Sequence, residues 1–251
     1  MTKIDEKRAA SAALKGDIMK KLVLGSGGIF FENESDPIID HIISLVEDKQ
    51  NMKFVFLPTA CRDSRDDEAT VRNYALTHGF KECVSLYLTD ETLTDEYIKN
   101  TILGASVIYA DGGNLKFLLE TWRRRKADVY LTEAYENGVV IAGQSSGAMC
   151  WCKRGYDNCG IGGRYMFLDG LNFIPYILCP HFEDWQCFLE DVKMQELDGL
   201  AVDNDIAISI VDGEYEIIDS GRNPRHSAFY LPASEEYAVK DLQKEHIKIE
   251  F

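Results

Sequence analysis

A chain of 251 residues is long enough for one large α/β domain, and 27 Lys and Arg against 42 Asp and Glu leave it with a net charge of −15 at neutral pH. That acidity argues against a nucleic-acid partner or an anionic membrane surface. No apolar run approaches the ~18 residues of a membrane-crossing helix and the amino terminus lacks a signal-peptide core, so a cytoplasmic protein is expected.

Seven cysteines, an odd number with no C-x-x-C pair, read as reduced thiols. Cys150-x-Cys152 lacks the second ligand pair that a zinc site needs, and no metal is expected.

Residues 1–19 are polar and alanine-rich and read as an N-terminal extension, with residues 20–251 as a single domain. Leu22 to Leu24 form a first strand that opens into Gly25-Ser26-Gly27-Gly28, and Asp36-Pro37 starts a helix with Ile38, Ile39, Ile42, Ile43 and Val46 on one face. The order G-x-G-x-x-G fails at Phe30, so this glycine turn reads as a tight strand-to-helix connection, not a dinucleotide site. Phe54–Leu57 is a second strand, Glu68–His78 a helix, Val84–Leu88 a third strand and Asp95–Leu103 another helix. Ser106–Ala110 is the fourth strand, Asn114 to Glu136 is helical for most of its length, and Val139–Ala142 is the fifth strand. Strands alternating with helices at this spacing imply a parallel sheet with helices on both faces. Functional residues then gather where loops leave the carboxyl ends of the strands.

The fifth strand leads into Gly143-Gln144-Ser145-Ser146-Gly147, the G-x-S-x-G pattern of a nucleophile elbow. A serine at such an apex projects its hydroxyl from the sheet edge, and the next backbone N–H, that of Ser146, faces the position of a developing oxyanion. Ser145 is the candidate nucleophile; the alternative is a small-residue turn closing a strand against a helix. Asp111-Gly112-Gly113-Asn114 leaves the fourth strand, one unit earlier, and the Gly113 N–H is the candidate second oxyanion donor; a plain helix entry is the competing reading. Among five histidines, His181 alone follows a short apolar strand, Ile177–Pro180, and precedes a helix start, which places it at the same sheet edge as a candidate base. Asp157, in the turn-like segment Gly155–Cys159, is the candidate orienting acid, or else a solvated turn aspartate. Beyond His181 a helix runs to about Gly199, and Ile206–Val211 and Tyr215–Ile218 flank a hairpin turn at Asp212-Gly213-Glu214.

Three segments in this order and spacing, Gly112-Gly113-Asn114 followed by Leu118, Leu119 and Trp122, then Gly143-x-Ser145-Ser146-Gly147-Ala148, then Cys179-Pro180-His181-Phe182, resemble the S51 family of serine peptidases. That family includes the aspartyl dipeptidase peptidase E, and cyanophycinase. The resemblance spans Lys20 to Gly221. It implies a class I glutamine amidotransferase-like, flavodoxin-like α/β fold with serine in place of the amidotransferase cysteine. It also implies a triad of Ser145, His181 and Asp157, an oxyanion hole of Gly113 and Ser146, no cofactor, and a small peptide as substrate, cut after an acidic residue at or near its amino terminus. Asn114 and Arg164 are the substrate-binding candidates, and a homodimer is compatible with the family.

Two departures stand out. Ser146 replaces the family's usual alanine, and the arginine common after the Pro-His-aromatic motif is missing from Phe182 to Glu196, where Lys193 is the one cation. An acidic side chain in a partly buried pocket needs such a partner, leaving Arg154, Arg164 and Lys193 as alternatives. Three other functions stay open: an α/β-hydrolase esterase, which lacks its HGGG-type motif here; a non-catalytic binding or sensing protein on the same fold; and cyanophycinase-like cleavage of an Asp-rich polymer.

Overall fold

The central strands are apolar on both sides because both faces of their sheet are covered. The structure, a computed structural model, describes residues 18–29, 31, 35–159, 163–182, 185–233 and 239–245, so residues 1–17 of the expected extension lie outside it. Strands β1 (Lys21–Gly25), β2 (Lys53–Leu57), β3 (Glu82–Ser85), β4 (Val107–Ala110) and β5 (Val140–Gln144) run parallel, in the order β3-β2-β4-β5-β1. Successive side chains alternate between two cores. Leu22, Leu24, Val55, Leu57, Ile108 and Ile141 pack on one face, and Val23, Phe54, Phe56, Tyr109 and Val140 on the other.

The isoleucine spacing that predicts the first helix places Ile38, Ile39 and Ile42 of α1 (Pro37–Ser44) wholly in the second core. The buried Asp36 caps this helix through the N–H groups of Ile38 and Ile39. Helix α2 (Glu68–Thr77) joins it there through Val71, Tyr74 and Ala75. Helices α3 (Asp95–Leu103), α4 (Leu115–Arg124) and α5 (Ala127–Glu136) cover the first core. The long helix expected from Asn114 to Glu136 is thus two, divided at Lys126, whose φ of 56° is left-handed and cannot continue a helix. Leu118, Leu119 and Trp122 form the buried stripe of α4, and the Trp122 indole stands 5.2 Å from that of Trp151.

Beyond β5 and the short α6 (Ser146–Met149) the chain builds a second sheet. It comprises β6 (Cys152–Asp157), β7 (Met166–Asp169), β8 (Ile174–Pro180) and β9 (Gly199–Val202), with α7 (Trp185–Val192) between β8 and β9. The hairpin β10 (Ile206–Val211) and β11 (Glu214–Asp219) returns to the first sheet, antiparallel beside β1. β12 (Ala228–Leu231) and β13 (Lys240–Asp241) complete the second, whose order is β13-β12-β9-β8-β6-β7. This sheet departs from the expectation of one parallel sheet flanked by helices. Lys153, Arg154 and Gly155 interrupt the apolar signal of β6, and the helix expected to reach Gly199 stops at Val192, leaving Gly199–Val202 as a buried strand. Among the described residues no helix is long and apolar enough to cross a membrane.

Two strand registers bring the loops of the site together. In the first sheet Gly25 pairs with Gln144 and Ala110 with Gly143, so the turns after β1, β4 and β5 emerge side by side. In the second sheet Pro180 pairs with Val202 in parallel, so the residues after β8 and β9 emerge together.

Candidate active site

Ser145 holds φ 52° and ψ −123°, a backbone conformation that costs an L-residue about 1–3 kcal/mol and persists only where its surroundings enforce it. The enforcement comes from two hydrogen bonds, donated by the Ser145 N–H to the carbonyls of Ser26 at 2.7 Å and Gly25 at 3.1 Å. Gly143 and Gly147 allow the turn, since a Cβ at Gly143 would stand 2.8 Å from the Ala110 carbonyl oxygen and one at Gly147 2.6 Å from that of Asp111. The Ser145 side chain therefore stands at the carboxyl edge of the sheet.

The His181 imidazole meets it there. Nε2 lies 2.9 Å from Ser145 Oγ, and Nδ1 lies 2.6 Å from Asn204 Oδ1. A carboxamide oxygen only accepts, so Nδ1 carries the ring proton and Nε2 presents its lone pair to the seryl hydroxyl. That is the tautomer a general base requires. His181 is itself left-handed, at φ 53°, and its N–H donates to Ser26 Oγ at 2.6 Å. Ser26, fully buried, thus holds both residues: its carbonyl accepts from Ser145 and its hydroxyl from His181.

The expected orienting acid is elsewhere. Asp157 is the last residue of β6, not a turn residue; it is buried, and its Oδ2 lies 3.1 Å from Ser146 Oγ. It also faces Cys159, whose thiol is held up at about 11, chiefly by burial and then by this carboxylate. The partner of His181 is Asn204, and the reason is the register of β8 and β9, which sets both residues just past paired strand ends.

A layer behind Asn204 fixes it. His226 Nδ1 donates to the Asn204 carbonyl at 2.6 Å, and the Asp205 N–H donates to the Gly27 carbonyl at 2.8 Å. Arg222 binds the Gly28 carbonyl, Asp205 Oδ1 at 3.1 Å and Asp36 Oδ2 at 2.6 Å. Gly27 lies directly beneath, where a Cβ would stand 2.6 Å from His181 Cε1 and 2.7 Å from Asn204 Oδ1. The Gly25–Gly28 turn is therefore the floor of the site as well as a connection. Ser26, Asn204, Arg222 and His226 all escape a reading of the sequence. The one signal for Asn204 is the apolar run Gly199–Val202 ending in Asp203-Asn204-Asp205, a strand followed by turn formers.

The Asp111–Asn114 turn packs against the nucleophile from the other side. A Cβ at Gly112 would stand 3.1 Å from Ser145 Cβ, so glycine suits this close approach. The turn is held at four points. The Gly112 N–H donates to Asp111 Oδ1 at 2.7 Å, Gln144 Nε2 donates to the same oxygen at 2.8 Å, the Asn114 N–H donates to the Ala60 carbonyl at 2.9 Å, and Ser146 Oγ donates to the Gly113 carbonyl at 2.8 Å. Ser146 thus braces the turn through its hydroxyl. The N–H groups of Gly113 and Ser146 have no acceptor among the described residues. Asn114 spends its side-chain oxygen on the Phe117 N–H as the cap of α4, and Arg164 is exposed and makes no ion pair among the described residues.

Burial raises the Asp111 pKa above that of an ordinary carboxyl, against the opposing pull of the hydrogen bonds from Gln144 and Gly112. Burial likewise raises Cys61, to about 11, so this thiol near the turn stays protonated at neutral pH and is a poor nucleophile. Among the described residues no group of three or more His, Cys, Asp or Glu side chains is arranged to hold a metal ion.

Comparison with known proteins places this geometry in context. The model of peptidase family S51 matches residues 22–218. An uncharacterized peptidase, YgaJ of Bacillus subtilis (strain 168), is 31% identical over 169 residues, which cover 66% of this chain and 70% of that protein. The crystal structure of a peptidase from an acI-B1 Actinobacterium superposes with a TM-score of 0.69 at 18% identity, over 94% of this chain and 100% of that one. A Listeria monocytogenes EGD-e protein assigned as a putative peptidase E gives 0.58 at 22% identity, over 80% and 98%. At these identities the two structures speak to the fold, the class I glutamine amidotransferase-like α/β architecture. The family match spans Ser26, Gly113, Ser145, His181 and Asn204, and the chain belongs to peptidase family S51.

Proposed function

We propose that the protein is a serine peptidase acting on short peptides through Ser145, His181 and Asn204. The observation that carries this reading is the Ser145 Oγ to His181 Nε2 distance of 2.9 Å, made by two residues that are both held at positive φ. Strain of this kind on both partners of one contact needs an enforced geometry, and Ser26 enforces it on both.

The chemistry follows from the atoms. His181 Nε2 removes the Ser145 proton as Oγ attacks the peptide carbonyl, and the Gly113 and Ser146 N–H groups receive the resulting oxyanion. The imidazolium then gives its proton to the leaving amine as the C–N bond breaks. Water, deprotonated by His181, cleaves the acyl ester by the reverse route and releases the carboxylic acid. Asn204 keeps Nδ1 protonated throughout and acts as a positioning residue. It is neutral, so it stabilises the imidazolium by its dipole alone, as in Cys-His-Asn arrangements.

The test is hydrolysis of a dipeptide panel by the wild-type protein and by Ser145→Ala. Release of amino acids by the wild type alone supports the reading. Equal release by the variant, or none by either folded protein, sinks it.

Ser26 supplies a second prediction. Ser26→Ala removes the acceptor of the His181 N–H, an interaction whose loss costs about 1–3 kcal/mol. We expect kcat to fall by about 10- to 100-fold with KM nearly unchanged, because the base is misplaced while the peptide-binding surface stays. A rise in KM at constant kcat would contradict this role.

A further inference from the structure

Resting on the peptidase reading, we infer that the cavity beside the nucleophile is the pocket for the side chain on the acyl side of the cut bond, and that it takes a cationic or amide-bearing side chain such as lysine or glutamine. The cavity, of about 300 Å³, is lined among others by Phe31, Phe56, Val71, Asp67, Asp111 and Gln144. Two of these residues adjoin the nucleophile turns in the chain. Gln144 is bonded to Ser145, and Asp111 to Gly112, the residue packed on Ser145 Cβ. None of the lining residues belongs to the β8 end that carries His181. Since His181 must reach the leaving amine, the leaving group lies on that flank and the acyl part on this one.

The polar groups of the cavity favour hydrogen-bond donors. Asp111 and Asp67 are carboxylates, and among the described residues the lining includes no Lys, Arg or His. Gln144 has committed Nε2 to Asp111, which leaves its carboxamide oxygen to accept. Phe31, Phe56 and Val71 supply an apolar wall for an aliphatic stem, whose charged end would pass along it to the carboxylates. A carboxylate guest would meet like charge and, among the described residues, no cation in the lining. Arg154, one of the expected partners for an acidic residue, is on β6 and bound to Asp169 and Gln195. The acidic preference expected from the family therefore has no support in this pocket.

The experiment compares Lys-Leu, norleucine-Leu, Gln-Leu and Asp-Leu. All four carry the same free α-ammonium, so the ranking reads the side chain. Binding is measured calorimetrically on Ser145→Ala, and kcat/KM on the wild type. Asp67 is the residue to vary, because its carboxylate makes no capping bond to α2 and its loss removes none. We expect Lys-Leu to bind at least about tenfold more tightly than norleucine-Leu and about 100-fold more tightly than Asp-Leu, with Asp67→Lys closing that gap by at least about tenfold. Tightest binding of Asp-Leu, or a ranking indifferent to Asp67→Lys, overturns the inference. Binding in the expected order without turnover by the wild type would overturn the peptidase reading, and with it the acyl-side role, while the cavity's preference for a cationic or amide-bearing side chain would stand.

Discussion

Ser145→Ala and His181→Ala should each lower kcat by about 10⁶-fold, and the double variant should be no slower than either single one. The reason is that neither atom works alone. Without the imidazole the seryl hydroxyl keeps its proton, and without Oγ the Nε2 lone pair, 2.9 Å away, has nothing to activate. The remaining catalysis comes from the Gly113 and Ser146 N–H groups and from substrate binding, worth about 10³- to 10⁴-fold over water. The measurement is a double-variant cycle on one dipeptide with the fold followed by circular dichroism. Additive losses would mean that the two residues act in separate steps.

The second large effect concerns Asn204. Asn204→Leu, close in size but without an acceptor, should lower kcat by about 10²- to 10⁴-fold, because Nδ1 is no longer held as the protonated nitrogen and the base is lost from the productive tautomer. Asn204→Asp keeps the acceptor and adds a charge. It should preserve activity and move the acid limb of the kcat/KM profile to higher pH, since a carboxylate 2.6 Å from Nδ1 favours the protonated imidazole and a higher pH is then needed to free the base. Asp157→Asn is the contrast. Its carboxylate touches Ser146 and not His181, so it should cost no more than about tenfold, through a looser Gly113 turn. A collapse of kcat in Asp157→Asn with Asn204→Leu unaffected would return the orienting role to Asp157.

The contrast between these two residues also shows how far the amino-acid sequence is legible. Ser145 and His181 can be placed because each follows a local pattern, a β-branched run closing on G-x-S-x-G and an apolar run closing on Pro-His, and strand ends in parallel sheets converge. The five parallel strands and their helices are readable for the same reason, since each is a short apolar run or a one-sided stripe. Asn204 depends on a non-local fact, the pairing of Pro180 with Val202, in a sheet whose strands carry Lys153, Arg154 and Gly155 and lack a clean period. With that sheet unseen, an aspartate eleven residues past Ser146 offers the nearest carboxylate along the chain, and chain distance stands in for distance in space. Ser26 is hidden differently. Its turn is legible as a turn, but that one serine offers its carbonyl to Ser145 and its hydroxyl to His181 only because β1 lies beside β5 and His181 N reaches Ser26 Oγ.

The specificity of the cavity sits at the same boundary. Gln144 and Asp111 are neighbours of catalytic candidates in the chain, yet their hydrogen bond, which turns one toward acceptance and fixes the other, spans two strands. Composition hints at the outcome only in the sense that an acidic chain has carboxylates to spare.

The central claim is that Ser145 is a nucleophile activated by His181, and covalent labelling tests it most directly. The native protein would be treated with a fluorophosphonate and the modified residue located by peptide mass spectrometry. The account predicts one label per chain, on Ser145, lost in His181→Ala and greatly slowed in Asn204→Leu. A folded protein that stays unlabelled, or a label of equal rate on Ser145 in His181→Ala, would contradict it.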